Sequence, residues 1–266
     1  MLLRGLASAS NGMNALIEQN DSTANNIANV NTVGYKKANL LFQNIYNANI
    51  GEKTETGDVK SLGELSVGSR VQKMTYDFSQ GALNTTGNPF DVAIEGDGFF
   101  KIQSTSGDIS YTRNGSFTMN NNSFLVTKDG DYVLDTNSKK IKINTEGMKM
   151  HSSNDIVINE SGQIEINNES NKNTQQKVGV YDFKNKEDMV SVGSSKFKPI
   201  DATTNPEIKA EKYVVQQGTL EMSNANVVNE MISTINTSRN YEALSKLVKS
   251  SGDTLSAALR VGRVAG

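Results

Sequence analysis

Two long stretches without proline, one at each end of the chain, constrain this sequence more than any other feature. In residues 2 to about 30 the only glycines are Gly5 and Gly12, and Leu6, Ala9, Met13, Leu16, Ala24 and Ile27 recur at intervals of three, four or their sums. That is the period of an α-helix carrying a narrow apolar stripe. The stripe turns polar at Asn20 and Thr23. At about 1.5 Å per residue such a helix runs about 40 Å. It is predicted to end near Gly34, which can take the left-handed conformation of a C-cap. From Ser223 to about Val261 there is again no proline. Val227, Val228, Met231, Ile232 and Ile235 open a second stripe, and Tyr241, Leu244, Val248, Leu255 and Leu259 continue it. The near-heptad spacing predicts a coiled-coil-like face. Ser223 or Asn224 is the expected N-cap, with Glu230 in an early turn.

Between the two stretches the pattern changes to two-residue alternation broken by Gly, Asn and Asp. Strands are predicted at 91–94 and 99–102 around the turn Glu95-Gly96-Asp97-Gly98, and at 124–126 and 132–134 around Asp129-Gly130-Asp131. Further candidates are 141–143, 155–158, 163–166 and 178–183. Pro89, Pro199 and Pro206 lie at the edges of this region or beyond it, where they remove no ladder bonds. Residues 36 to about 80 are polar, carry Gly51, Gly57, Gly63 and Gly68, and are expected to be irregular. The predicted fold class is therefore α+β. Residues 1–35 and 223–266 form a coiled-coil-like helical domain, 36–81 and 199–222 a linker layer, and 82–198 an inserted all-β domain.

Composition removes several functional classes. The chain has no cysteine and one histidine, His151. Disulfide frameworks, thiolate nucleophiles and imidazole–thiolate zinc sites are thus excluded. His151 sits in a polar loop sequence without a nucleophile elbow, so a solvated histidine explains it better than a catalytic one. With 27 Lys and Arg against 29 Asp and Glu, the net charge of −2 argues against nucleic acid as a partner. No phosphate loop or twelve-residue calcium loop occurs, and hairpin turns account for the Asp-Gly clusters. No cofactor, metal or small-molecule substrate is expected. The opening residues do not read as a secretory leader, and no stretch reaches the length of a membrane helix.

A narrow apolar stripe on a long helix leaves part of that stripe in water, and helices draw most of their stability from burying it. Two terminal helices make a seam rather than a core. Neighbouring copies can supply the missing cover, and a head-to-tail contact that does not close generates a helical filament. Packing of both helices on the chain's own β domain is the competing solution. From pattern alone both stand.

Four stretches then resemble one family, the bacterial flagellar rod and hook proteins. The first is Asn25-Asn26-Ile27-Ala28-Asn29-Val30-Asn31-Thr32-Val33-Gly34-Tyr35-Lys36. Residues 90–100, residues 111–117 (Tyr111-Thr112-Arg113-Asn114-Gly115-Ser116-Phe117) and residues 218–227 follow in the family's order, with Arg239-Asn240-Tyr241-Glu242 beyond them. Residues 63–71 are similar to the distal-rod branch of the family, whereas the proximal-rod branch shares the other stretches.

The resemblance implies a structural subunit rather than an enzyme. It implies helices at the centre of a self-assembled tube, β domains on its outer wall, and torque passed from motor to hook. It also implies other rod subunits, the hook protein, ring bushing proteins and the flagellar export apparatus as partners, at the basal body across the cell envelope. A secreted adhesin or binding module is the alternative from a different class. The expected assembly residues are Leu6, Met13, Leu16, Ile27, Val228, Ile235, Tyr241, Leu244, Val248 and Leu255 for helix packing. Asn25, Asn26 and Asn29 are expected to make polar contacts between subunits.

Overall fold

The computed structural model describes residues 2–53, 59–143, 156–166 and 176–264. A helix α1 (Leu2–Ala28) leads into a two-stranded ribbon of β1 (Ala38–Lys53) and β2 (Val59–Tyr76). Short strands follow, among them β3 (Leu83–Thr85), β4 (Val92–Gly96), β5 (Phe99–Gln103) and β6 (Ile109–Thr112), before a closing helix α2 (Val227–Val264). The fold is α+β, with terminal helices and a β-rich middle. The chain forms two compact units. The first holds Met1–Ile27, Ala38–Met74 and Asn226–Gly266; the second holds Ala28–Lys37 and Thr75–Ala225.

In the first unit the two helices run in opposite directions. Asn26, near the end of α1, bonds to Glu230 in the first turn of α2. Further along, a Cβ placed on Gly12 would lie 3.3 Å from Leu244 Cδ1, so the absence of a side chain at Gly12 lets Leu244 seat there. The N-cap of α2 is Asn226, whose Oδ1 accepts the Asn229 N–H at 3.1 Å. This corrects the expectation of Ser223 or Asn224. Ser223 Oγ instead accepts the Ala225 N–H, and the Asn224 amide is used elsewhere. The segment expected to be irregular is the β1–β2 ribbon. Its glycines favour breaks, but in the sequence Leu65, Val67 and Val71 keep the two-residue period through them, and glycine weakens a strand without forbidding it.

Gly34 adopts φ 67°, as a left-handed position requires, but α1 has already ended at Ala28. It is therefore not the C-cap. A Cβ on Gly34 would meet Asn114 N at 2.3 Å, so glycine serves a close backbone approach inside the second unit.

The second unit is built around β5. Neighbouring residues on a strand point to opposite faces, and Phe99 and Phe100 are each 0% exposed. Phe100 belongs to a cluster with Val92, Ile94, Ile102, Phe117 and Leu125. Phe99 belongs to another, with Tyr111, Tyr181, Phe183, Met189 and Phe197. The sheet is thus covered on both sides, each large side chain contributing about 1.5–3 kcal/mol. β5 pairs antiparallel with β6, with Tyr132–Val133 and with Val180–Phe183. Residues 141–143 contribute an isolated bridge, Phe124 to Lys142, rather than a full strand. His151 lies outside the described residues.

Candidate assembly surface and a buried ionic junction

The expected packing residues divide into two groups. Leu6, Met13, Leu16 and Ile27 on α1, and Leu244 and Val248 on α2, are half-buried. Leu16 and Tyr241 line one groove of about 280 Å³ together with Ile17, Asn20, Thr237 and Glu242. By contrast Val228 is 62% exposed and Ile235 52%, as are Met231 and Ile232, while Tyr241 is 37% exposed. The four aliphatic side chains recur at three- and four-residue intervals, so they lie on one side of α2. The Leu255 side chain lies outside what the structure describes.

What α2 buries near its start is polar. Glu230 and Thr237 are buried, as are Ser22, Thr23 and Asn26 on α1. Asn26 Nδ2 donates to Ala38 O at 3.0 Å and to Glu230 Oε2 at 3.1 Å, and its Oδ1 accepts the Ala38 N–H at 2.9 Å. Ser22 Oγ donates to the same Ala38 carbonyl. Within its own chain, the short amide of Asn26, one of the expected contacts between subunits, matches both polar groups of Ala38 like a strand partner. Asn25 is exposed and donates to Asp21 O; Asn29 is half-buried and accepts from Thr32 Oγ1. Neither is drawn into the Asn26 network by these bonds.

The second unit holds a feature that periodicity does not reveal. Glu221 is 0% exposed, Lys36 1% and Arg113 2%. Lys36 Nζ donates to Glu221 Oε1 at 2.7 Å and to Ser79 O at 2.6 Å. Arg113 Nη1 reaches Glu221 Oε2 at 3.2 Å, and Nη2 donates to Gly96 O at 2.7 Å. The Gly81 N–H donates to Glu221 Oε1, and the Gly34 N–H to the Glu221 carbonyl. Phe99 closes the site, with the Arg113 guanidinium 5.3 Å from its ring centre. Burial lowers the pKa of both Lys36 and Arg113, and Glu221 opposes the shift in each. One carboxylate therefore holds two desolvated cations. Breaking one partner out of such a buried set is far costlier than breaking a surface pair.

Each of the four resembling stretches 25–36, 90–100, 111–117 and 218–227 reaches this junction. Lys36 closes the first, Gly96 and Phe99 come from the second, Arg113 from the third and Glu221 from the fourth. Close packing beside the junction explains Gly115, since a Cβ there would sit 1.6 Å from Val92 O. No role was assigned to Lys36, Arg113 or Glu221 from the sequence. The available signal was a charged residue placed inside each otherwise small or apolar motif. The Glu95-Gly96-Asp97-Gly98 turn, with Gly96 at φ 103° and Gly98 at φ 121°, is not the expected hairpin: it joins β4, which pairs with Tyr213–Gln217, to β5, which lies in another sheet. Asp97 is bonded to Lys186, which holds its carboxyl below the usual range.

Comparison with known proteins follows the same blocks. Residues 6–36 match the family profile described as flagella basal body rod protein. Residues 93–166 match the flagellar hook protein FlgE/F/G D1 domain, and residues 216–261 the flagellar basal body rod FlgEFG protein C-terminal. Over 281 aligned residues the chain is 34% identical to the flagellar basal-body rod protein FlgG of Borreliella burgdorferi, covering 98% of this chain and 100% of that one. It is 30% identical to FlgG of Bacillus subtilis over 96% of this chain and 97% of that one. A flagellar basal-body rod protein FlgF, from Mesorhizobium japonicum, is 29% identical over 92% of each.

Proposed function

The chain belongs to the flagellar basal-body rod protein family, and from that membership we propose that its copies polymerise head to tail into the tubular shaft of the distal rod. It is a structural subunit of the flagellar basal body and not an enzyme. In the proposed assembly the terminal helices pack coiled-coil-like with those of neighbouring copies at the centre of the tube. The β-rich region, inserted between them, forms the outer wall, with the β1–β2 ribbon as the linking layer. Leu6, Met13, Leu16, Ile27, Val228, Ile235, Tyr241, Leu244, Val248 and Leu255 are the packing residues of this scheme, and Asn25 and Asn29 its polar contacts.

One observation carries the scheme. Val228, Met231, Ile232 and Ile235 are each more than half exposed on one side of α2, an apolar row that a chain working alone has no reason to keep in water. A neighbouring copy covers it, and a heterologous contact that does not close extends as a helix. Such a tube resists bending because contacts at more than one radius must be strained together, which suits torque transfer to the hook. Other rod subunits, the hook protein, ring bushing proteins and the export apparatus are its partners in this scheme.

The test is electron microscopy of purified hook–basal bodies labelled with antibody against residues 90–143. Label along the rod next to the hook is the expected result. Label confined to the motor end would move the protein to the proximal rod, and unlabelled rods would overturn the scheme.

A further inference from the structure

We infer that the bonds joining residues 34–37 to residues 221–224 form a mechanical clamp, which takes tension applied between the chain ends before the β-rich region is loaded. The inference rests on the proposed shaft, in which each subunit works under load. The chain passes between its two units after Ile27, Lys37, Met74 and Ala225. Tension arriving from α1 runs along residues 28–37, and tension from α2 runs along the residues just before Asn226. Within the second unit these two segments are tied directly. The Gly34 N–H donates to Glu221 O at 2.8 Å, Lys36 Nζ to Glu221 Oε1 at 2.7 Å, and the Lys37 N–H to Asn224 Oδ1 at 2.8 Å.

The passage after Met74 is tied to the same point. The Asp77 N–H donates to Lys37 O at 2.9 Å, Asn224 Nδ2 donates to Asp77 O at 2.7 Å and to Ser79 O at 3.1 Å, and Lys36 Nζ reaches Ser79 O. One asparagine side chain and one ion pair therefore fasten three of the four passages. The ion pair is hidden from water, so its charge-assisted bonds are not exchanged for solvent as they stretch. While these bonds hold, tension short-circuits from residues 34–37 to residues 221–224 and bypasses everything between. Once they break, the load passes along the β1–β2 ribbon to β3 and Thr219–Glu221, a pair only three residues long.

The chain contains no cysteine, so cysteines added at its two ends give unique handles for pulling the full-length protein in an optical trap. The expected trace has one event, distinct from separation of α1 and α2, that releases the length of chain between the clamp's two sides. Asn224→Ala removes the four bonds that this side chain makes to Lys37, Asp77 and Ser79 without stranding a buried charge and is expected to lower the force of that event. Glu221→Gln is expected to abolish it as a separate step. A control pair of handles, with cysteines replacing Thr118 and Ile200, loads the β-rich region without crossing the clamp, and there Asn224→Ala is expected to change nothing. An unchanged end-pulled event in Asn224→Ala would overturn the clamp. So would an equal drop in both geometries, which signifies general destabilisation. Because single chains are measured, failure of the clamp is distinguishable from failure of the proposed rod, which the labelling experiment reads.

Discussion

Glu221 is the residue on which the second unit depends most. It accepts from the buried Lys36 and Arg113 side chains and from the partly buried Gly81 amide. Glu221→Gln keeps the shape but leaves two buried cations facing a neutral amide. The full-length variant is expected to lose about 3–5 kcal/mol in denaturant unfolding. Tyr111 offers a second, pH-dependent contribution. Its hydroxyl donates to Glu207, and burial first, then that bond, pushes the phenol pKa upward. A raised folded pKa means the folded state holds the proton more tightly than the unfolded chain. The contribution is therefore complete below the ordinary tyrosine value of about 10 and is lost as pH rises above it. Tyr111→Phe is expected to cost about 1–3 kcal/mol at neutral pH and to flatten the alkaline loss, both read from unfolding curves across pH. These partners stand 185, 108 and 96 residues apart in the chain, so no local period marks them as a set.

At the scale of elements, α2 carries the assembly question. One side of it meets α1 through buried polar residues and Leu244, while Val228, Met231, Ile232 and Ile235 remain in solvent. Ile235→Asp therefore changes a surface position in the isolated chain, and its unfolding free energy is expected to stay within about 0.5 kcal/mol of wild type. Polymerisation of the same variant, followed by sedimentation and electron microscopy, is expected to be abolished. A variant that polymerises normally would show that this side of α2 is not the contact. The helices themselves were legible from composition and period, because a long proline-free stretch with three- and four-residue spacing has few other solutions. The ribbon was not, since its glycines outweighed a short alternating pattern. The cap of α2 was missed by two residues because Ser223, Asn224 and Asn226 all have capping chemistry, and only the backbone path decides which one caps.

Across the whole molecule, the large hydrophobic clusters and the proposed assembly surface lie in different units. Both aromatic and aliphatic clusters lie within Thr75–Ala225, whereas among the described residues of the first unit the buried apolar side chains are the alanines Ala9, Ala15 and Ala38. A chain stopped after Ala225 is expected to keep a cooperative thermal transition by calorimetry and to form no polymer. Loss of the transition would mean that α2 is required for the β-rich region to fold. The four motifs that resemble the rod family also take on a common purpose at this scale, since each sends a residue to the Lys36–Arg113–Glu221 junction.

The sequence alone determined the helical ends, most of the strands, the absence of thiol chemistry and the family, because these follow from local period, residue type and motif order. Tertiary structure decided which asparagine is spent inside the chain, which apolar row is left outside, and which carboxylate holds two distant cations. Those outcomes depend on desolvation and on partners brought together across more than a hundred residues, and neither is encoded in any local window.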